Sequence, residues 1–265
     1  MRTSRVFRTA GLLAFCALLT SQIASTQGLG IDVTPAKFEF AIPPGTTDYS
    51  VPITIRNGSP ATVHILASSV DFGLQPDGKY SFGPAGSRPY SLMRWSSINP
   101  REFDLPANST QQVRMTISVP KRSDLNGEYS GIVFFQTRPT RHANAVALSV
   151  RVATKIYATI PGTVRRDGAI KRMSVGFSGG MQNYRVVFQN LGNTHLYVNG
   201  QIQVRKGESI VQTIPMEKQL LVERGGERII DTTGSVLPAG RYQVVAIIDY
   251  GGKTQTGGQI DYDKK

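Results

Sequence analysis

The chain has 265 residues, 30 Lys and Arg against 18 Asp and Glu, one Cys and one Trp. That length allows one or two domains and excludes a small disulfide-stapled scaffold, and an apolar content of 40% is too high for a chain disordered throughout. A formal charge of +12 raises the question of a nucleic-acid or anionic-surface partner, which only the distribution of the charges can answer.

Arg2, Arg5 and Arg8 precede the apolar run of residues 11–19, and small polar residues follow through Ser21, Ala24, Ser25 and Thr26. A basic head, a short apolar run and a small-residue exit describe a secretory signal peptide over residues 1–26. The run is shorter than the about 20 residues of a permanent membrane helix, so no stable span is expected in the mature chain. Cys16 has bulky Phe15 beside it, which speaks against lipidation, and the mature chain then has no cysteine with which to form disulfides. Loss of the three leader arginines lowers the charge to +9, spread evenly over residues 27–163 and 164–265. The one dense basic cluster is at residues 165–172, and no stretch interleaves Lys or Arg with aromatics, so no nucleic-acid partner is expected.

From residue 31 onward apolar residues alternate: Val51, Ile53, Ile55; Val63, Ile65; Val113, Met115, Ile117, Val119; Leu148, Val150, Val152. The second half continues with Tyr184, Val186, Phe188 and with Tyr242, Val244, Ala246, Ile248. Clusters of Gly, Pro, Asn and Asp separate these runs, as at residues 43–45, 57–60, 75–78 and 251–252. Short strands of period two with frequent turn signals indicate β-sandwiches, and no helical period stands out beyond the leader. The predicted fold is all-β: two tandem immunoglobulin-like β-sandwich domains after a signal peptide, over residues 27–162 and 163–265, jointed at Pro161-Gly162-Thr163.

The halves echo one another. Asn57, a turn and His64 in one correspond to Asn190, a turn and His195 in the other. Gly127-Glu128-Tyr129 corresponds to Gly240-Arg241-Tyr242, a phrase similar to the tyrosine corner of immunoglobulin-like sandwiches, with Gly131 and Val244 where a cysteine would stand.

Catalytic and metal chemistry have little to draw on. His64, His142 and His195 have no second ligand at metal spacing, so no metal or other cofactor is expected. His64 and His195, at equivalent strand starts, read as structural, and His142 as solvated. The Gly-rich stretch Phe177-Ser178-Gly179-Gly180 sits between strands and not at the strand-to-helix turn of a nucleophile elbow, and Asp71 and Asp77 flank a turn, where Asp bonds locally. The chain reads as not an enzyme.

Leu148, Val150 and Val152 share one face of a strand, with Ser149, Arg151 and Ala153 on the other. The pattern by itself favours a closing core strand over an edge strand that lends its apolar row to a protein lacking one. At this point residues 30–162 resemble the first domain of PapD-like periplasmic chaperones of pilus or fimbria assembly. That family's last strand alternates apolar residues and then reaches Thr-Lys-Ile, as Leu148, Val150, Val152 and Thr154-Lys155-Ile156 do here. Lys37 falls on the first strand, residues 31–40, where the family usually has Arg. Glu128 and residues 132–135 loosely match its acidic-then-aromatic segment.

The resemblance implies a non-enzymatic periplasmic chaperone or assembly factor. Its protein client, a pilus or envelope subunit, would pair with the strand at Leu148, Val150 and Val152. Lys37 and Lys155 would hold the client's terminal carboxylate, as charge-assisted hydrogen bonds can, although Lys lacks the two-pronged fork of Arg. The alternative is a secreted immunoglobulin-like surface module that contacts cell-wall polymer or another surface protein.

Overall fold

The structure, a computed structural model, describes residues 30–139 and 148–265. The leader with Cys16, and His142 with the loop around it, lie outside the described residues. Ten strands precede residue 160: β1 (Ile31–Thr34), β2 (Lys37–Ala41), β3 (Asp48–Asn57), β4 (Val63–Leu74), β5 (Tyr80–Pro84), β6 (Ser96–Asn99), β7 (Glu102–Leu105), β8 (Thr110–Ser118), β9 (Glu128–Thr137) and β10 (Arg151–Thr159). One sheet runs β1-β3-β8-β6 and the other β2-β10-β9-β4-β5, with β7 beside β4. The alternation read from the sequence sorts the side chains. Val51, Ile53 and Ile55 of β3 and Val113, Met115 and Ile117 of β8 meet Ile65, Val133, Phe135 and Ile156 from the facing sheet, all at most 2% exposed. Each such side chain contributes roughly 1.5–3 kcal/mol by leaving water.

Residues 31–40, read as a single first strand, are two. Pro35 has no N–H to give a ladder, so pairing stops there. β1 pairs antiparallel with β3, while β2 crosses to the other sheet and pairs parallel with β10, Lys37 opposite Lys155 and Ala41 opposite Thr159. The crossing is held by Thr154, whose hydroxyl donates to the Pro35 carbonyl at 2.6 Å, and by the Lys155 N–H, which donates to the Ala36 carbonyl at 3.0 Å. Trp95 closes a short 3₁₀ turn, Met93–Trp95, before β6.

Eight further strands follow: β11 (Gly168–Ser178), β12 (Met181–Asn190), β13 (Leu196–Lys206), β14 (Ser209–Pro215), β15 (Leu220–Val222), β16 (Glu227–Gly234), β17 (Gly240–Asp249) and β18 (Thr256–Lys264). They form the sheets β11-β12-β16 and β14-β13-β17-β18, with β15 beside β13, closed over Tyr184, Val186, Phe188, Val198, Ile202, Val204, Val244, Ala246 and Ile248. The fold is two immunoglobulin-like sandwiches in tandem.

The echo between the halves is atomic. The Asn57 amide donates to the carbonyls of Ala61, Leu105 and Pro106 at 2.8–3.0 Å and its oxygen accepts from the Ser59 N–H. The Asn190 amide donates to those of Thr194, Val222 and Glu223 at 2.8–3.2 Å and its oxygen accepts from the Gly192 N–H. The tyrosine corner is present once: the Tyr242 hydroxyl donates to the Pro238 carbonyl at 2.9 Å, whereas Tyr129 packs its ring on Trp95, 4.3 Å between centroids.

Polar contacts tie the sandwiches together. The Glu128 N–H donates to the Asn193 carbonyl, and the Ile229 N–H to the Pro76 carbonyl, both at 2.8 Å. Arg224 reaches back from the second sandwich to the carbonyls of Asn126 and Glu128, its guanidinium 3.3 Å from the centre of the Tyr90 ring.

Candidate functional site

β10 carries two features that belong together. From Arg151 to Thr159 it pairs with β9, but on its other side β2 reaches only back to Lys37, opposite Lys155. Among the described residues no strand pairs that side of residues 148–153. The pairing with β9 continues there: the N–H of Thr137 donates to the Val150 carbonyl and that of Val150 to the Thr137 hydroxyl, each at 2.9 Å. Thr154 and Ile156 face the core and are fully buried, Val152 and Val150 on the same face are half-buried against it, and Leu148 is 60% exposed. The core is thus left progressively open along this edge.

On the opposite face of the same strands lies the second feature. Residues paired across parallel strands point to the same side of the sheet, so Lys37 and Lys155 both project away from the core, whose side is taken by Phe38, Phe40, Ile156 and Ala158. The Lys37 ammonium donates to the Tyr197 hydroxyl of the second sandwich at 2.8 Å and pairs with Glu39 at 2.6 Å. The Lys155 ammonium donates to the Tyr80 hydroxyl at 2.9 Å. The two lysines share a register position, and their ammonium groups are held by different neighbours.

Between the sandwiches, below Lys37, is a hydrogen-bonded floor. The carboxylate of Glu128, 2% exposed, accepts from the hydroxyl of Thr194 at 2.8 Å, from the N–H of His195 at 3.1 Å and from its ring Nδ1 at 2.7 Å. The His195 ring leans on Tyr157, 4.3 Å between centroids, and the Tyr157 hydroxyl donates to Glu223 at 2.8 Å. Burial works against the His195 charge, but the Glu128 hydrogen bond and the charges of Glu128, Glu223 and Glu39 outweigh it and raise its pKa. Burial pushes Glu223 up, and it pushes Tyr157 far up with the help of Glu223. Partial burial also pushes Glu39 up, yet the Lys37 hydrogen bond, His195 and Tyr197 leave it below the usual carboxylate range. Hydrogen bonds to Glu39 and then Tyr197 raise Lys37. The hollow beside this floor, about 370 Å³, is lined by Glu39, Tyr157, Arg166, His195 and Tyr197 among others.

The sequence singles out Lys37, Lys155, Leu148, Val150 and Val152 as candidates, but not the groups around them. Missed were Glu39 and Tyr197, and an aromatic row on the outer face beside β10. There Tyr80 stacks near Phe82, Phe82 meets Phe134 edge-on at 5.3 Å, and the Arg151 guanidinium sits 5.1 Å from the Phe134 ring. Phe82 is 55% exposed. The alternation Tyr80-Ser81-Phe82 after the Asp77-Gly78 turn was a signal for it. Asp71, read as a turn residue, is buried and clamps the loop after β5, accepting from the Arg88 N–H at 2.9 Å and the Ser91 hydroxyl at 2.6 Å. His64 lies between two carboxylates of β7, Asp104 and Glu102, each at 2.6 Å.

Other places compete less well. A larger hollow, about 650 Å³, lies over Ser174, Asn183, Arg185 and Asp231, but there Arg185 already grips Asp231 with two hydrogen bonds. Among the described residues no group of three or more His, Cys, Asp or Glu side chains is placed to hold a metal ion, and no helix is long and apolar enough to cross a membrane.

No family model matches the chain, and no curated protein sequence matches it. Solved structures do. The Class 5 fimbriae chaperone CfaA is 13% identical with a TM-score of 0.50, over 89% of this chain and 100% of that one. The complex of Salmonella enterica SafA pilin with the SafB chaperone gives 14% identity and a TM-score of 0.46, over 91% and 99%. The E. coli chaperone DraB gives 13% and 0.44, over 89% and 98%. At such identities the likeness concerns the fold, and CfaA carries it: this chain has the two-domain immunoglobulin-like fold of the PapD-like fimbrial chaperones.

Proposed function

We propose that this chain is an exported, non-enzymatic assembly chaperone that holds an envelope or pilus subunit in the periplasm. In this reading residues 1–26 direct export, and residues 27–162 and 163–265 are the two domains between which the subunit's chain end is received. The subunit supplies the strand missing beside residues 148–153, packing on Leu148, Val150 and Val152. Its terminal carboxylate is met by Lys37 and Lys155. The observation that carries the reading is the coincidence of the two features on β10: an edge with no partner strand among the described residues, whose inward row is half-buried, ending where two lysines stand in register. The fold supports it, since CfaA is described as a fimbriae chaperone.

Mass spectrometry of what co-purifies with tagged protein from the periplasm tests it. A small subunit is expected with the wild type and lost from the Lys37→Ala, Lys155→Ala double variant without unfolding. Undiminished capture by that variant would remove the anchoring role. Co-sedimentation with isolated cell wall in place of a captured subunit would favour a surface module instead.

A further inference from the structure

Lys37 already has a carboxylate. Glu39 stands two residues on along β2, a spacing that puts both side chains on the same face of the strand. One oxygen of Glu39 lies 2.6 Å from the Lys37 ammonium and accepts from the Tyr197 hydroxyl at 3.0 Å, while that hydroxyl accepts from Lys37 at 2.8 Å. The three groups close a triangle across the two sandwiches. Two of the three ammonium donors are therefore in use. A second carboxylate arriving at Lys37 must either share it with Glu39, against the repulsion of like charges, or replace it.

We propose that Glu39 is an internal competitor that occupies Lys37 and must yield it to the client's terminal carboxylate. The inference rests on the anchoring role given to Lys37 above. Two observations make Glu39 a competitor rather than a permanent lock. The pair is open to water, with Lys37 and Glu39 side chains 41% and 40% exposed, and an ion pair so exposed is weak enough to be exchanged. Glu39 also has somewhere to go: the same oxygen is 3.4 Å from the His195 ring Nε2, so a small rotation trades one cation for another. The consequence is selectivity. A chain end bearing a carboxylate displaces Glu39, and a neutral one leaves the triangle closed.

The test uses a fluorescein-labelled twelve-residue peptide of alternating Val and Ser, as the free acid and as its C-terminal amide, titrated into the exported protein and followed by anisotropy. Wild type is expected to prefer the acid. Glu39→Gln, nearly isosteric and without the charge, should raise the acid-over-amide preference about three- to fivefold, the size of one exposed ion pair. The gain should vanish when Lys37→Ala is added. An unchanged or reduced preference in Glu39→Gln, in a protein where Lys37→Ala alone abolishes it, overturns the competitor and leaves the anchor standing, with Glu39 then orienting Lys37. Equal binding of acid and amide by wild type and Glu39→Gln overturns the anchor and the competitor together.

Discussion

The two sandwiches use the same corner and finish their sheets differently. Asn57 and Asn190 each bind the carbonyl four residues on and two successive carbonyls of a distant turn. At the last strands the likeness ends. β18 faces out with Gln259, Asp261 and Asp263 and turns Ile260 and Tyr262 inward, half-buried, the Tyr262 hydroxyl accepting from Gln182 at 3.1 Å. Charged side chains along an edge are how sheets avoid adding a further strand. β10 has an inward row that runs out from half-buried Val152 and Val150 to exposed Leu148, and Arg151 lies down on Phe134. The shared scaffold thus ends in a charged edge at β18 and, among the described residues, in an edge at β10 that carries an exposed apolar residue.

The comparison breaks most sharply at the asparagines. Each amide meets three buried or half-buried carbonyls, and a carbonyl stripped of its partner costs about 1–3 kcal/mol. Asn57→Ala and Asn190→Ala should each lose about 3 kcal/mol in urea unfolding. Two clearly unequal losses would mean that the repeated geometry does not carry a repeated energetic role.

The edges come next. Ile260→Glu puts a charge against the second core and should cost about 2 kcal/mol with subunit capture unchanged. Val150→Glu, likewise at a half-buried position, should cost about as much and reduce capture more than tenfold. If Val150→Glu also leaves capture unchanged, β10 is an ordinary core strand and the difference between the edges has no function.

How much of this was legible follows from the range of each interaction. Alternation is a local signal, so Val51, Ile53, Ile55, Val113, Met115 and Ile117 all reach the core where period two puts them. The Asn-to-His phrases were visible as an echo because each spans a single turn. The break at Pro35 was written in the sequence too, and residues 31–40 passed for one strand because both pieces keep period two. Illegible was whatever depends on distant partners. Glu39 meets Tyr197 across 158 positions, and Lys37 meets it across 160. His195 was read as structural from its place at a strand start, a description that misses Glu128, 67 positions away.

The two repeat-equivalent histidines offer a smaller contrast. His195 is almost enclosed between the sandwiches, and His64 sits on the rim between Asp104 and Glu102. Both have raised pKa values in the folded protein. A raised folded value means that the folded chain binds the proton more tightly, so the stabilisation is complete below the unfolded pKa of about 6.5 and lost as pH rises through the folded value. Glu223, also raised, has the same sign from about pH 4.5 upward. Stability measured from pH 6 to 9 should therefore fall, and His195→Gln should make that fall shallower. His64→Gln should do so less, its charge being shared with water. A pH profile unaltered by His195→Gln would show that Glu128 is held by Thr194 and the backbone alone.

The finest contrast is the tyrosine corner, which both halves spell and only one makes. The Tyr242 hydroxyl bonds the Pro238 carbonyl four residues upstream, so Tyr242→Phe removes a hydrogen bond and leaves the ring in place, a loss of about 1 kcal/mol. Tyr129 sits at the matching place in the first sandwich, but Trp95 and Tyr90 pack against its ring, so the aromatic surface does the work there. Tyr129→Phe keeps that surface and should change stability by less than about 0.5 kcal/mol. Equal losses at the two positions would restore a second corner and extend the likeness of the halves to this pair. Unequal losses in the expected order would show that the repeated Gly-x-Tyr phrase is conformational in one sandwich and a packing device in the other, set by a Trp95 that has no counterpart in the second half.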